Sequence, residues 1–223
     1  MIEKYFLLFM IYSFIGWIME VIVCWFPTKK FVNRGFLIGP YCPIYGYGCL
    51  LIIILLKNSI NDPIALFLKA IVICSLLEYF TSLFMEKLFH ARWWDYSNKK
   101  FNINGRICLE TMIPFGILAC LVMYILNPFF ESLLNLMPSI ILHIVSIILF
   151  IIYIVDNIIS FKIISNVSKT VKQVAKDSTE EITTKVKKVL KQGNILSKRL
   201  TDAFPKFQAQ IRKMTKRNKK NQN

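Results

Sequence analysis

Five apolar stretches dictate what this chain can become. They run over about residues 5–26, 41–56, 64–89, 107–126 and 139–161. Each is long enough, or nearly so, to cross a hydrocarbon core of about 30 Å as a helix of roughly 20 residues. Inside lipid the backbone has to satisfy its own hydrogen bonds, so helices are the expected form. The expected fold class is all-α: a polytopic transmembrane helix bundle of about five spans over residues 1–161, then a basic amphipathic cytoplasmic helical tail over residues 162–223. The second stretch is the shortest, and Pro40 and Pro43 stand at its start. Its first turn is expected to be irregular and covered by protein. Between the last two stretches, Asn127 to Pro138 reads as a short interfacial segment carrying Phe129, Phe130, Leu133, Leu134 and Leu136.

Charge divides the chain at the same boundary. Residues 1–161 hold 11 Lys+Arg against 9 Asp+Glu, a net of +2, whereas residues 162–223 hold 17 against 4, a net of +13. A mean hydropathy of +0.50 beside a total charge of +15 is therefore two unlike parts joined end to end. This combination excludes a soluble enzyme, a secreted disulfide scaffold and a disordered chain. The cations also set an orientation. Lys29, Lys30 and Arg34 lie in the first loop, Arg92, Lys99, Lys100 and Arg106 in the third, and the basic tail follows the fifth stretch. Positive loops stay inside, so the N-terminus is expected outside and the tail in the cytoplasm. The first span is not expected to be a cleaved signal, because it is long, contains Glu20 and lacks a small-x-small site. The six cysteines show no metal or redox spacing and read as small packing residues.

Four acids fall within the expected spans: Glu20, Glu78, Glu110 and Asp156. Ionisable groups at that depth are costly and mark candidate functional sites by default. At about 1.5 Å per residue they lie roughly 9, 12, 5 and 8 Å from the cytoplasmic ends of their spans. Ser13, Gly16 and Glu20 share a helix face, as do Ser75, Glu78 and Ser82, and Tyr153, Asp156 and Ser160. Such small and hydroxylated stripes suit helix contacts in lipid. Arg34, Arg92 and Arg106 are the loop cations able to answer the acids. Three readings stay open: ion-pair latches that fix the loops to the bundle, an inward-facing polar cavity for a cation, proton or lipid headgroup, or independent protonated acids. Toward the outer side, Lys69 reads as snorkelling and His143 as packed or interfacial.

The two cytoplasmic loops form an interfacial motif. The first contains Asn33-Arg34-Gly35 and runs on through Gly39-Pro40; the third contains Arg92-Trp93-Trp94-Asp95-Tyr96 and Asn104-Gly105-Arg106. Trp93, Trp94 and Tyr96 read as an aromatic belt at the inner interface, and the Gly and Pro positions as tight turns. So dense a mixture predicts ordered loops. A parallel repeat is a further reading, since the first and third spans each carry an acid followed by an Asn/Arg/Gly loop and a Gly/Pro-bearing span.

Together with Gly16-Trp17 before Glu20, and Glu78-Tyr79 before Thr81-Ser82, these stretches resemble the bacterial membrane-protein family described as putative ABC-transporter type IV, over roughly residues 5–160. The resemblance implies a small multi-span inner-membrane protein and carries over no catalytic, cofactor or metal residue. The chain has no G-x-x-x-x-G-K-[ST] phosphate loop, so a transport role would need a separate ATPase subunit. Five spans are few for a complete path, so transport would also imply a homo-oligomer.

In the tail, Val167, Val171, Val174, Ile182, Val186 and Val189 recur at helical spacing among lysines. The expected partner is the anionic inner leaflet, with membrane lipids binding the basic tail; self-association is a second reading. Nucleic acid is disfavoured, for lack of stacking aromatics and of a reading motif. The resulting expectation is a permease-like transport component with no cofactor. The alternative is a non-catalytic scaffold that recruits lipid or partner proteins. An intramembrane enzyme is not expected, because no nucleophile or metal constellation stands at suitable spacing.

Overall fold

The computed structural model describes residues 1–89 and 94–176. Arg92, Trp93 and the tail beyond Lys176 lie outside the described residues. Helices dominate: α1 (Ile2–Thr28), α2 (Pro43–Leu55), α3 (Pro63–Phe89), α4 (Leu109–Leu121), α5 (Asn127–Leu136) and α6 (Ser139–Lys176). The strands present are β1 (Asn102–Ile103) and β2 (Ile107–Cys108), an antiparallel pair in the third loop with Asn102 opposite Cys108. Among the described residues, four helical stretches are long and apolar enough to cross a membrane: Ile2–Pro27, Pro63–Leu88, Leu109–Leu136 and Ser139–Ile163. Their outward faces expose large apolar side chains such as Phe80, Phe84, Ile148, Ile152 and Ile158. The chain is an integral membrane protein built as an all-α bundle.

Two spans differ from expectation. The second is only 13 residues long, about 20 Å, and falls short of a full crossing. Proline chemistry explains its late start. A residue before proline is pushed out of the helical region, and Cys42, before Pro43, sits extended at φ −116°, ψ 95°. The expected fourth span begins later, because Ile107 and Cys108 belong to β2, and it does not stop at residue 126. A π turn over Val122–Leu126 joins α4 to α5, with the Asn127 N–H donating to the Val122 carbonyl five residues back. Pro128 then occupies the first turn of α5, where an amide hydrogen is dispensable. The segment expected to lie at the interface therefore continues the helix. At the far end of the chain, α6 passes the expected boundary at Phe161 and runs to Lys176.

Small residues set the closest helix contacts. A Cβ on Gly46 would fall 2.3 Å from the Ser13 hydroxyl and 2.6 Å from the Phe9 ring, and one on Gly116 would fall 2.5 Å from the Phe67 ring. These positions bring α2 onto α1 and α4 onto α3. The main core joins Leu8, Tyr12, Ile52, Leu66, Ala70 and Met123. A second cluster contains Phe9, Met10, Leu37 and Tyr41. Leu37 and Tyr41 belong to the first loop, so that loop is part of the interior of the bundle.

Candidate functional site

Both loops on the basic face fold back into the bundle, and each is tied by a different device. In the first, the Asn33 carbonyl oxygen accepts from the Trp17 indole N–H at 2.7 Å and from the Gly35 N–H at 3.0 Å, while its amide donates to the Ile38 carbonyl at 3.1 Å. Beyond it the backbone is irregular, and its free amides need acceptors supplied from outside. Asp156 of α6 supplies them. Its carboxylate accepts the Ile38 N–H at 2.9 Å, the Gly39 N–H at 2.7 Å, the Ser160 hydroxyl at 2.8 Å and the Tyr41 hydroxyl. The Cys42 N–H completes the set by donating to the Ser13 carbonyl at 2.8 Å. Gly39 is required here, since a Cβ would fall 2.3 Å from the Tyr41 ring.

The third loop is held by Arg106. Asn104 and Gly105 have φ of 53° and 66°, the left-handed pair at the centre of a tight turn that the Arg106 N–H closes on the Ile103 carbonyl at 3.0 Å. The hairpin delivers the Arg106 guanidinium to Glu86 at 2.9 Å and to the Ser82 hydroxyl at 3.1 Å, over the face of Tyr79. Asn104 donates to the Tyr79 hydroxyl at 3.0 Å, and the Trp94 indole donates to the Arg106 carbonyl at 3.0 Å. Asp95 accepts both the Ser97 N–H and the Ser97 hydroxyl, which closes the turn before the hairpin. The Tyr96 N–H donates to the Gly105 carbonyl at 2.8 Å, so Tyr96 hangs from the hairpin and points inward.

Behind the loops lies a cavity of about 530 Å³ bordered by α1, α2, α3, α4 and α6. Its loop-side end is formed by Glu20, Arg34, Tyr45, Glu78, Trp94 and Tyr96. Farther in, the walls are apolar: Cys49, Ile52, Leu118, Ala119 and Val122. Glu20 accepts the Tyr45 hydroxyl at 2.7 Å and meets the Arg34 Nε at 3.4 Å, with both charged side chains about a third exposed. Glu78 is 7% exposed, and one of its oxygens accepts the Tyr96 hydroxyl at 3.2 Å. Its other oxygen has no hydrogen-bond partner. Burial, followed by the Glu78 and Glu20 charges, pushes the Tyr96 phenol far above its ordinary range, so it remains a donor.

The four span acids therefore take different positions. Glu20 and Glu78 face the cavity. Asp156 lies beside it and is bound by backbone amides and hydroxyls; the expectation of an arginine partner does not describe it. Glu110 sits at the start of the apolar stretch Leu109–Leu136, in the first turn of α4, exposed and paired with Lys99 at 2.7 Å. Two partnerships were not singled out from sequence. Glu86 is the acid that receives Arg106, and Asn104-Gly105, a hairpin signal as well as a turn signal, shapes the loop that delivers it. On the opposite face, the exposed His143 contacts Glu3, Lys69 reaches the Ser59 hydroxyl at 2.8 Å and Lys4 reaches Asn135 at 2.5 Å. Among the described residues, no group of three or more His, Cys, Asp or Glu is arranged to hold a metal ion.

The family described as "Putative ABC-transporter type IV" matches residues 7–161. The chain belongs to this family. The match spans both loops, the cavity and the Asp156 clasp and ends at Phe161, so the basic tail lies outside it. Neither a curated protein nor a solved structure gives a match.

Proposed function

We propose that this type IV family member is a permease-like component of a bacterial inner-membrane transport system, and that the cavity holds its solute. The observation that carries the reading is that Glu20 and Glu78 both border one cavity whose other walls are mostly apolar, with Thr81, Tyr153 and Asn157 among the polar exceptions. Binding sites for small molecules combine an apolar wall with a few convergent polar groups in this way. The basic loops orient the protein with its N-terminus outside, the cavity mouth toward the cytoplasm and the tail on the anionic inner leaflet. A separate ATPase subunit and a second copy of the chain complete the system, and the chain itself does no bond chemistry. The scaffold reading draws support from one feature: Asp156 and Arg106 hold the loops in fixed shapes suited to a docking partner.

Accessibility of the cavity to water separates the two readings. Thr81 borders the cavity, and Thr81→Cys in an otherwise cysteine-free full chain gives a single reporter thiol. A small charged thiosulfonate is expected to modify it from the cytoplasmic side in inverted vesicles. During turnover with the ATPase, modification from the outer side is expected as well. A thiol silent from both sides would overturn the transport reading and leave the scaffold.

A further inference from the structure

Among the described residues, buried side-chain oxygens of Ser75, Ser146 and Glu78 lack a hydrogen-bond partner, and of these three residues Glu78 alone borders the cavity. Glu78 is more than nine-tenths buried and lines the cavity, yet its second carboxylate oxygen lacks a donor. The nearby Thr111 hydroxyl does not supply one, because it donates to the Cys108 carbonyl at 2.9 Å. Arg34, the cation at this end, is drawn to Glu20 instead. A buried carboxylate is strongly unfavourable without hydrogen bonds, and an adjacent charged donor is its best partner. The rings of Tyr45, Trp94 and Tyr96 border the same end, and aromatic faces attract cations. Two carboxylates against one guanidinium also disfavour an anion there.

Away from this end the chemistry changes. Cys49, Ile52, Leu118 and Val122 offer nothing polar except a thiol, and they extend along α2 and α4 away from the loops. A small hydrated metal ion would leave that length of wall unused, whereas a molecule with a charged head and an apolar tail would fill both parts.

We infer that the cavity takes a protonated alkyl amine whose ammonium group donates to the free Glu78 oxygen and whose chain lies along Cys49, Ile52 and Leu118. The inference rests on reading the cavity as a solute site and names the class of solute. It requires an N–H donor as well as positive charge. A quaternary ammonium has the charge without the donor, and an alcohol has a donor without the charge.

The test uses the full chain in dodecyl maltoside, with titration calorimetry and tryptophan fluorescence read against empty micelles. Octylamine is expected to bind saturably at one site. Octyltrimethylammonium and octanol are expected to bind at least tenfold more weakly, and octanoate not at all. Shortening the chain from octylamine to hexylamine is expected to weaken binding roughly tenfold, from the transfer free energy of two methylenes. Glu78→Gln is expected to lower octylamine affinity at least tenfold and to erase its advantage over octanol. Cys49→Phe, which fills the apolar end, is expected to flatten the dependence on chain length. Octanol or octyltrimethylammonium binding as tightly as octylamine to the unaltered chain would overturn the inference, and this comparison does not depend on either variant folding. Amine binding with a silent Thr81→Cys thiol would retain the amine site and remove transport. A reactive thiol without amine binding would do the reverse.

Discussion

Asp156 and Glu78 are withdrawn from solvent to nearly the same degree, 8% and 7% exposed, and are used in opposite ways. Asp156 accepts four hydrogen bonds, two of them from backbone amides of the first loop. Glu78, on the cavity wall, accepts one and leaves a buried oxygen without a donor. A carboxylate saturated by the fold stabilises the fold. One left short of donors is available to something that arrives later. Burial alone does not distinguish the two; the count of donors does.

The largest expected effect is on the saturated acid. Asp156→Ala strands the Ile38 and Gly39 amides, and loss of these charge-assisted bonds should destabilise the protein by about 3 kcal/mol or more. Unfolding by SDS titration in mixed micelles, followed by tryptophan fluorescence, measures it. The matched change Glu78→Gln should leave stability within about 1 kcal/mol of the parent, or raise it, since a buried charge is removed. Equal losses in the two variants would break the comparison.

Arg106→Gln comes next. It removes the Arg106–Glu86 ion pair and the charged donor to the Ser82 hydroxyl, and a loss of about 2 kcal/mol is expected, moderated because Glu86 is partly in water. Gly39→Ala should cost about 1–3 kcal/mol by driving a methyl group into the Tyr41 ring. If Asp156 holds the loop through that turn, Gly39→Ala should add little once Asp156 is already alanine, which a double-mutant cycle reads directly. The smallest effect belongs to Lys99→Gln. The Glu110 carboxylate raises the Lys99 ammonium's affinity for its proton, but the pair is exposed, and no measurable change in unfolding is expected.

These contrasts also mark how far the sequence could be read. Apolar run length revealed the long helices, because in lipid a run of that size has few alternatives. Gly39-Pro40 and Pro43 announced an irregular entry to α2, and Asn104-Gly105 encoded the hairpin. The partners of Asp156 were hidden for a physical reason: backbone amides occur at every residue except proline, so no letter marks the ones that will lack a helical partner. The choice of Glu86 by Arg106 was hidden differently. Glu78, Glu86 and the third loop are all near one another in sequence, and only the hairpin geometry decides which acid the guanidinium reaches. Glu110 was hidden in another way, since its place in the exposed first turn of α4 depends on β2 taking the residues before it.

The reach of the Asp156 clasp has a consequence for how the protein is made. The Gly39 amide and its acceptor are 117 residues apart in the chain, and chains leave the ribosome from the N-terminus. The first loop and the short α2 are therefore synthesised long before the helix that fixes them. Until α6 arrives, the hairpin of α1 and α2 has bare amides and a helix too short to settle on its own. Final closure of the first loop is a late event in biogenesis, and truncation before residue 156 should yield a chain whose first loop stays open to protease.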